Sequence, residues 1–287
     1  MAVRPTDLIK SDASGWAPSD DSGGASWIVA YELDFSGQGN NDFETGASFT
    51  MEGVRWYPFN HTQTSGVSGF PAEGFYNKSG AGLQIWPQSD ERMFQARLDL
   101  PIIAAKVKDL VSGELTYDVD KHAVCFQVTC TASPDIANNY DAFGALAFDG
   151  VPATPKYIGC RSLWDGSALT DIIWNTHGAN AQSKIGEATF TNRNLFQITI
   201  WPGGPAGMPL ISAAIGPMPG GGDFPDPHDW VPINQGSISY GKQNDATTFT
   251  KDTLHVGVHA QCENAAVTEP KPTFTKCRAL VMDLEQT

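Results

Sequence analysis

The chain has few positive charges and no long apolar run. Only 18 Lys and Arg stand against 32 Asp and Glu among 287 residues, which gives a formal net charge of -14. A phosphate backbone would be repelled by such a surface, so the sequence predicts no nucleic-acid partner. No stretch approaches the roughly 20 consecutive apolar residues of a membrane-spanning helix. The sequence therefore also predicts no membrane span.

Cysteines are few, and the common motifs of cofactor and nucleophile sites are missing. The five cysteines show neither Cys-x-x-Cys spacing nor a histidine at zinc-finger distance, so we expect buried free thiols over a disulfide such as Cys262 to Cys277. The chain also lacks a Gly-x-Ser-x-Gly elbow, a phosphate-binding Gly-x-x-x-x-Gly-Lys loop and a His-Glu-x-x-His pair. We therefore expect no cofactor and no metal, and we predict no catalytic residue.

The first 26 residues lack both a secretion signal and the alternation of a strand. Residues 1–7 show no positively charged region ahead of an apolar run, so we expect a chain made in the cytoplasm without a signal peptide. Residues 1–26 are rich in Ser, Asp, Gly and Pro, yet they contain Trp16, whose large apolar ring has little use in a solvated tail. We predict an extended arm over 1–26, with Trp16 contacting its own domain or a neighbouring subunit.

Alternation of apolar and polar residues runs through the rest of the chain. In residues 27–35 the odd positions are apolar and share one face of a strand, whereas Glu32 and Asp34 lie on the other. Similar segments recur at the close spacing of a sandwich. They are 47–57, 81–86, 93–100, 114–119, 122–131, 143–149, 157–164, 170–176, 195–201, 209–215, 236–240, 253–260 and 277–284.

These segments predict an all-β fold with two stacked antiparallel sheets, a jelly-roll or concanavalin-like sandwich. Residues 27–287 are predicted to form one domain, with a long Gly/Pro-rich loop region near 202–235. Residues 101–111 follow helical spacing instead, so we expect at most one or two short helices.

Two pairs of ionisable residues on predicted strands are candidates for chemistry. Glu32 and Asp34 lie about 7 Å apart on one strand face, and Glu32-Leu33-Asp34 resembles part of the Glu-x-Asp-x-x-Glu strand of laminarinase-like sandwich hydrolases. Gly37 occupies the third acid position, so we interpret the pair as a solvated strand face. His255 and His259 are about 13 Å apart in an extended strand, too far to share one zinc, and we expect them to pack on a sheet face.

Aromatic residues at strand ends and in loops are the remaining candidates for binding. Trp86 and Trp201 each precede a proline at the end of a predicted strand, and Trp230 and His228 lie in the Pro-rich loop region. Rings in such places stack on sugars or anchor protein interfaces, although they also cover sandwich cores. We predict glycan or partner contacts at Trp86, Trp201, Trp230 and His228.

The pattern of strands over residues 27–284 resembles the concanavalin A-like and jelly-roll sandwich modules of lectins, polysaccharide-active enzymes and phage structural proteins. This resemblance implies a non-catalytic structural or interaction protein, a bacteriophage virion component such as a capsid decoration, fibre or tail protein. Its expected partners are copies of itself, other virion proteins and surface glycans, and its expected location is the virion. The alternatives are a glycan-binding sandwich module and a polysaccharide lyase or hydrolase that uses Glu32, Asp34 or the histidines.

Overall fold

The computed structural model describes seventeen segments of the chain. They are residues 9–12, 15–18, 27–39, 41–43, 49–52, 54–59, 75–85, 92–96, 122–131, 142–149, 156–164, 169–175, 182–188, 194–201, 210–239, 254–261 and 273–283. The helix predicted over 101–111 and the strand predicted over 114–119 lie outside these segments.

Within the described segments the chain forms strands and no helix. The strands are β1 Ile9–Asp12, β2 Gly15–Pro18, β3 Ile28–Asp34, β4 Asn41–Phe43, β5 Phe49–Met51, β6 Val54–Phe59, β7 Phe75–Lys78, β8 Gly82–Ile85, β9 Arg92–Ala96, β10 His122–Thr131, β11 Ala142–Asp149, β12 Lys156–Trp164, β13 Leu169–Asn175, β14 Gln182–Ala188, β15 Leu195–Trp201, β16 Leu210–Gly216, β17 Asn234–Ser239, β18 Leu254–Gln261 and β19 Thr273–Asp283. In the part of the chain that is described, no helix is long and apolar enough to cross a membrane.

Two antiparallel sheets form the sandwich, which confirms the predicted fold class. The front sheet has the order β17-β16-β15-β10-β19-β8-β7-β4, and β3 also pairs with β19. The back sheet has the order β14-β13-β12-β11-β18-β9-β6-β5. Neighbouring strands within each sheet often come from distant parts of the chain, as when β19 at the C-terminal end pairs with both β10 and β3.

The core lies between the inner faces of the two sheets. On β10 the residues Val124, Phe126 and Val128 face inward, as the alternation predicts, and each is at most 1% exposed. The rings of Phe196 in the front sheet and Phe143 in the back sheet meet edge to face, with centroids 5.4 Å apart. Such aromatic pairs add to the stabilisation from burial, so this contact joins the two layers.

A β-bulge in β3 changes which residues face the core. Opposite β3, Ala279 pairs with Tyr31 whereas the next residue, Leu280, pairs with Val29, so Ala30 is an extra residue in β3. Tyr31 is buried in the core as predicted, but Val29 is 39% exposed. The prediction that Trp27 and Val29 share a face with Tyr31 is therefore wrong, because the extra residue shifts the period-two alternation by one position.

The N-terminal residues that are described form a small hairpin. Strands β1 and β2 pair antiparallel, with Ser11 opposite Trp16, and β2 approaches β17 at the edge of the front sheet. The arm over 1–26 and the anchoring role of Trp16 remain predictions.

Candidate functional site

A row of polar residues crosses the outer face of the front sheet. Cross-strand pairing aligns Gln197 of β15 with Gln127 of β10, Gln127 with Arg278 of β19, and Arg278 with Glu32 of β3. Gln127 is fully buried, and Gln197 and Arg278 are 8% and 9% exposed. The outer face of a sandwich sheet is usually solvated, so burial of this row requires a cover.

The connection between β16 and β17, residues 217–233, provides that cover. The backbone carbonyl of Pro225 accepts hydrogen bonds from Arg278 Nη2 and Gln127 Nε2, and Lys276 Nζ donates to the carbonyl of Gly222. The ring of Phe224 lies 5.0 Å from the guanidinium carbon of Arg278, a cation-π contact. We call this segment the covering loop.

Trp230 fixes the far end of the covering loop. Its ring is 8% exposed and packs against Leu195 and Ala214 on the outer face, and its Nε1 donates to the carbonyl of Pro217 across 3.0 Å. The loop is therefore held both by an apolar cluster and by hydrogen bonds to the polar row.

The polar row is tied together by hydrogen bonds between side chains. Arg278 Nε donates to Gln127 Oε1 across 2.7 Å, and Gln127 Nε2 donates to Gln197 Oε1 across 2.6 Å. Burial lowers the pKa of Arg278, while the neighbouring thiol of Cys125 and the carboxylates of Glu32 and Asp226 act to raise it. Among the described residues, Arg278 bonds to an amide and a carbonyl but to no carboxylate.

At the end of this row, between the outer face and the covering loop, lies a cavity of about 40 Å³. Three indole rings and an imidazole line it, together with Gln197 of the polar row; these aromatic residues are Trp27, Trp201, Trp230 and His228. Trp27 meets Trp201 edge to face at 5.9 Å between centroids and lies 6.0 Å from the ring of His228. We call this space the tryptophan pocket.

Two polar atoms at the tryptophan pocket are buried and have no hydrogen-bond partner in the described part of the chain. They are Nε1 of Trp27 and Nε2 of His228. An indole N–H that is removed from water without an acceptor costs about 1–3 kcal/mol, so such groups usually mark a place where another molecule completes the site. By contrast, Nε1 of Trp201 donates to Ser212 Oγ across 3.0 Å.

The structure brings together three of the four predicted contact residues. Trp201, Trp230 and His228 line the tryptophan pocket although they come from a strand end and a loop. Trp201 is only 3% exposed and packs against Ala123 and Met282, so its ring also covers the outer face of the sheet. Trp86 lies outside the described residues.

Sequence reasoning missed Trp27, Gln127, Gln197 and Arg278 as parts of this site. The two glutamines carried a usable signal, because each interrupts a run of apolar residues in a strand that is buried on both faces. Trp27 carried none, since its position on the outer face depends on the bulge at Ala30.

The carboxylates of Asp34 and Asp226 accept hydrogen bonds within turns. Asp34 Oδ1 accepts hydrogen bonds from the backbone N–H groups of Ser36 and Gly37 and from the Ser36 hydroxyl. Partial burial raises the pKa of Asp34, but these hydrogen bonds and Lys276 outweigh it, and the pKa lies below its ordinary value. A general acid in glycoside hydrolysis needs the opposite shift, so this pKa argues against that role for Asp34, and its hydrogen bonds stabilise the turn. Asp226 Oδ1 accepts from the backbone N–H of His228 in the same manner.

His255 and His259 both lie on β18, and His259 is opposite Gly144 of β11 in the back sheet. Within the described segments, no group of three or more His, Cys, Asp or Glu residues has the geometry to hold a metal ion.

Four cysteines lie in the described residues and are free and buried, namely Cys125, Cys130, Cys160 and Cys277. Cys125 lies on the outer face next to the polar row, and burial raises the pKa of its thiol to about 12. Burial also raises the pKa values of the other three thiols. These thiols are therefore protonated at neutral pH and are poor nucleophiles. Cys262 lies outside the described residues.

A comparison with solved structures finds sandwich proteins of similar fold. An endo-1,3-beta-glucanase from Streptomyces sioyaensis is 13% identical, with a TM-score of 0.48 over 92% of this chain and 99% of that one. The alginate lyase A1-II', a member of polysaccharide lyase family 7, is 10% identical, with a TM-score of 0.34 over 84% of this chain and 85% of that one. A carbohydrate esterase from the Shiga toxin-encoding bacteriophage phi24B is 10% identical, with a TM-score of 0.39 over 89% of this chain and 99% of that one.

No family model matches the sequence, and no curated protein matches it. The solved structures that resemble the chain are mostly carbohydrate-active enzymes, and this finding contradicts two predictions. The interpretation as a non-catalytic virion component is corrected, and so is the expectation that the chain is not an enzyme. At these identities and TM-scores the likeness concerns the sandwich fold alone.

Proposed function

We propose that this protein is a carbohydrate-active sandwich protein that binds a glycan at the tryptophan pocket and cleaves it by lyase or hydrolase chemistry. The observation that carries the proposal is the convergence of Trp27, Trp201, Trp230 and His228 on one cavity beside a buried polar row. Aromatic faces stack on sugar rings, and fixed hydrogen-bond donors and acceptors select among their hydroxyl groups.

The polar row supports this proposal because it is rigid and connected. A glycan is recognised by many hydrogen bonds of modest strength, which a preorganised network forms at a lower entropic cost than mobile side chains do. The hydrogen-bonded series from Arg278 through Gln127 to Gln197 ends at the pocket, and each of these three residues is at least nine-tenths buried.

His228 is the proposed acid or base. It lines the pocket, its Nε2 has no partner among the described residues, and an imidazole nitrogen can give or accept a proton. Glu32 lies at the other end of the row. Asp34 and Asp226 each accept backbone hydrogen bonds in turns, whereas Glu32 accepts none of this kind in the described part of the chain.

The size of the pocket implies that the covering loop moves when a whole sugar ring binds. Ligand pockets usually enclose about 300–1,000 Å³, far more than the volume seen here. Gly221 and Gly222, with φ of 115° and 81°, lie in the exposed part of the loop and give it backbone freedom there.

The direct test is incubation of the purified protein with a panel of neutral, uronate-containing and N-acetylated polysaccharides. New reducing ends reveal cleavage by either chemistry, and ultraviolet absorbance of an unsaturated uronate distinguishes a lyase from a hydrolase. His228→Gln is expected to lower the rate by about 100-fold or more, the usual contribution of a general acid or base.

Asp229→Asn is the matched control, because Asp229 is exposed, follows His228 in the loop and does not line the pocket. Its activity is expected to equal that of the unmodified protein. The proposal is contradicted if no polysaccharide in the panel is bound or cleaved, or if His228→Gln cleaves at the normal rate.

A further inference from the structure

The hydrogen bonds of the polar row fix the orientation of each amide. A guanidinium only donates, so Gln127 must turn Oε1 toward Arg278 and Nε2 toward Gln197. Gln197 then accepts with Oε1, and its Nε2–H groups are left without an acceptor among the described residues. The charge on Arg278 therefore makes the pocket end of the row a hydrogen-bond donor.

Two more groups add donors to the same pocket. Nε1 of Trp27 is a buried donor without a partner among the described residues. Ser212 Oγ, which also lines the pocket, accepts from Trp201 Nε1, so its hydroxyl hydrogen is available. Three donors that face one pocket favour a ligand group that accepts hydrogen bonds.

The rest of the lining carries no permanent charge. Among the described residues that line the tryptophan pocket there is no Asp, Glu, Lys or Arg, and Arg278 is separated from it by Gln127 and Gln197. A carboxylate in the pocket would lose its hydration without meeting a lysine or an arginine, which is unfavourable. The net charge of -14 also opposes the approach of an acidic group.

Part of the pocket wall is apolar, and the space that it encloses is small. This apolar surface includes the indoles of Trp201 and Trp230 and the ring of Pro227. Since one enclosed water needs roughly 10–15 Å³, about 40 Å³ accommodates roughly three to four non-hydrogen atoms. The ligand group is therefore small and neutral, with an acceptor at one end and an apolar end at the other.

We propose that the tryptophan pocket binds the acetamido group of an N-acetylated amino sugar. The carbonyl oxygen accepts from Gln197 Nε2 and Trp27 Nε1, and the methyl group packs against Trp201, Trp230 and Pro227. This assignment rests on the proposed function, which it narrows to glycans that contain N-acetylated residues.

The test compares three oligosaccharides of equal length and linkage by calorimetry. They are an N-acetylglucosamine oligomer, its de-N-acetylated form and the corresponding glucose oligomer. The N-acetylated oligomer is expected to bind at least about tenfold more tightly than the other two, the effect of one or two hydrogen bonds and a buried methyl group.

Trp27→Phe removes the indole donor, and Gln197→Met removes the amide donors together with the acceptor of Gln127 Nε2. Each is expected to weaken binding of the N-acetylated oligomer about five- to tenfold and that of the glucose oligomer by a smaller factor, so the preference for the N-acetylated oligomer falls. Gln84→Met is the matched control, since Gln84 is a buried glutamine of the same sheet on β8, three strands from β15. Thermal unfolding of each variant establishes that it is folded.

The outcomes separate this assignment from the proposed function. Equal binding of the three oligomers, or an unchanged preference in Trp27→Phe and Gln197→Met, overturns the acetamido assignment and leaves glycan binding intact. Cleavage of the polysaccharide panel without binding of the N-acetylated oligomer also overturns the acetamido assignment and leaves the proposed function intact. If neither the panel nor the oligomers are bound, both proposals fail.

Discussion

Arg278 Nε lies 2.7 Å from Oε1 of Gln127, and the two residues are direct neighbours across the central strands of the front sheet. This hydrogen bond joins a buried positive charge to a neutral amide. Its contribution depends on both partners being present, because a guanidinium without an acceptor is far more costly than an apolar pair of the same shape.

Gln127→Leu is therefore expected to destabilise the fold by about 2–3 kcal/mol, the cost of removing an acceptor from a buried charged donor. Arg278→Met is expected to cost less. The double variant should lose less free energy of unfolding than the two single variants lose together, because neither polar partner is then left without the other. Urea unfolding of the four proteins measures the difference, and simple additivity would contradict this account.

A second prediction concerns the buried carboxylate that links the two sheets. Asp171 of the back sheet accepts from Ser162 Oγ and from Nδ2 of Asn234, which begins β17 in the front sheet. Asn234→Ala removes one of these charge-assisted bonds and is expected to cost about 1.5–3 kcal/mol in urea unfolding.

Gly186 of β14 lies close to Asn234 and gives a second test of the contact between Asp171 and Asn234. A Cβ atom at Gly186 would lie 1.9 Å from Asn234 Oδ1, so Gly186→Ala should displace Asn234 and destabilise the fold. In the Asn234→Ala background the obstacle is gone, and adding Gly186→Ala should then have little effect. An equal cost in both backgrounds would show that the close approach to Asn234 is not the cause.

The third prediction contrasts two glycines by the space around them. A Cβ atom at Gly144 would lie 2.0 Å from the carbonyl oxygen of Cys160 and 2.8 Å from the Cα of Arg161, and backbone atoms cannot move aside cheaply. Gly144→Ala is expected to cost about 3 kcal/mol or more, beyond ordinary overpacking. Gly39→Ala, with nothing within 4 Å, is the control and should change the free energy of unfolding very little.

The fourth prediction is a loss of stability in alkaline solution. The pKa of Cys125 rises from 9.0 in the unfolded reference to about 12 in the fold. The unfolded thiol ionises above about pH 9 while the folded one stays neutral, so its stabilising contribution is complete below pH 9 and declines as the pH rises toward 12. The free energy of unfolding should fall over this window.

Thiol reactivity gives an independent measurement of the same burial. In a Cys262→Ser variant, the four described thiols should react slowly with an alkylating reagent in the native protein and fully in denaturant. Rapid labelling of Cys125 in the native state would mean that the covering loop opens readily.

The alternation of residue types predicted the two-layer fold because half-buried strands must place apolar residues on every second position. The boundaries of β10 and β15 agree with the predicted segments 122–131 and 195–201. The short strands β4 and β7 were not predicted, since three or four residues are too few to establish a period.

The site was only partly predictable, because it depends on which strands become neighbours. Nothing in the sequence shows that Gln127, Gln197 and Arg278 share one row, as they are separated by as many as 151 positions. The sequence predicts a Gly/Pro-rich loop near 202–235 with contacts at His228 and Trp230, but the carbonyl of Pro225 bonds to that row only through tertiary packing.

The extra residue at Ala30 shows how little separates this pocket from an ordinary sandwich edge. A relative lacking one residue at that position would lose only the small side chain of Ala30, yet it would turn the indole of Trp27 to the opposite side of its strand. Deletion of a single residue can thus change which ligand such a sandwich protein prefers. A comparison of the pocket residues by identity alone would not reveal this change.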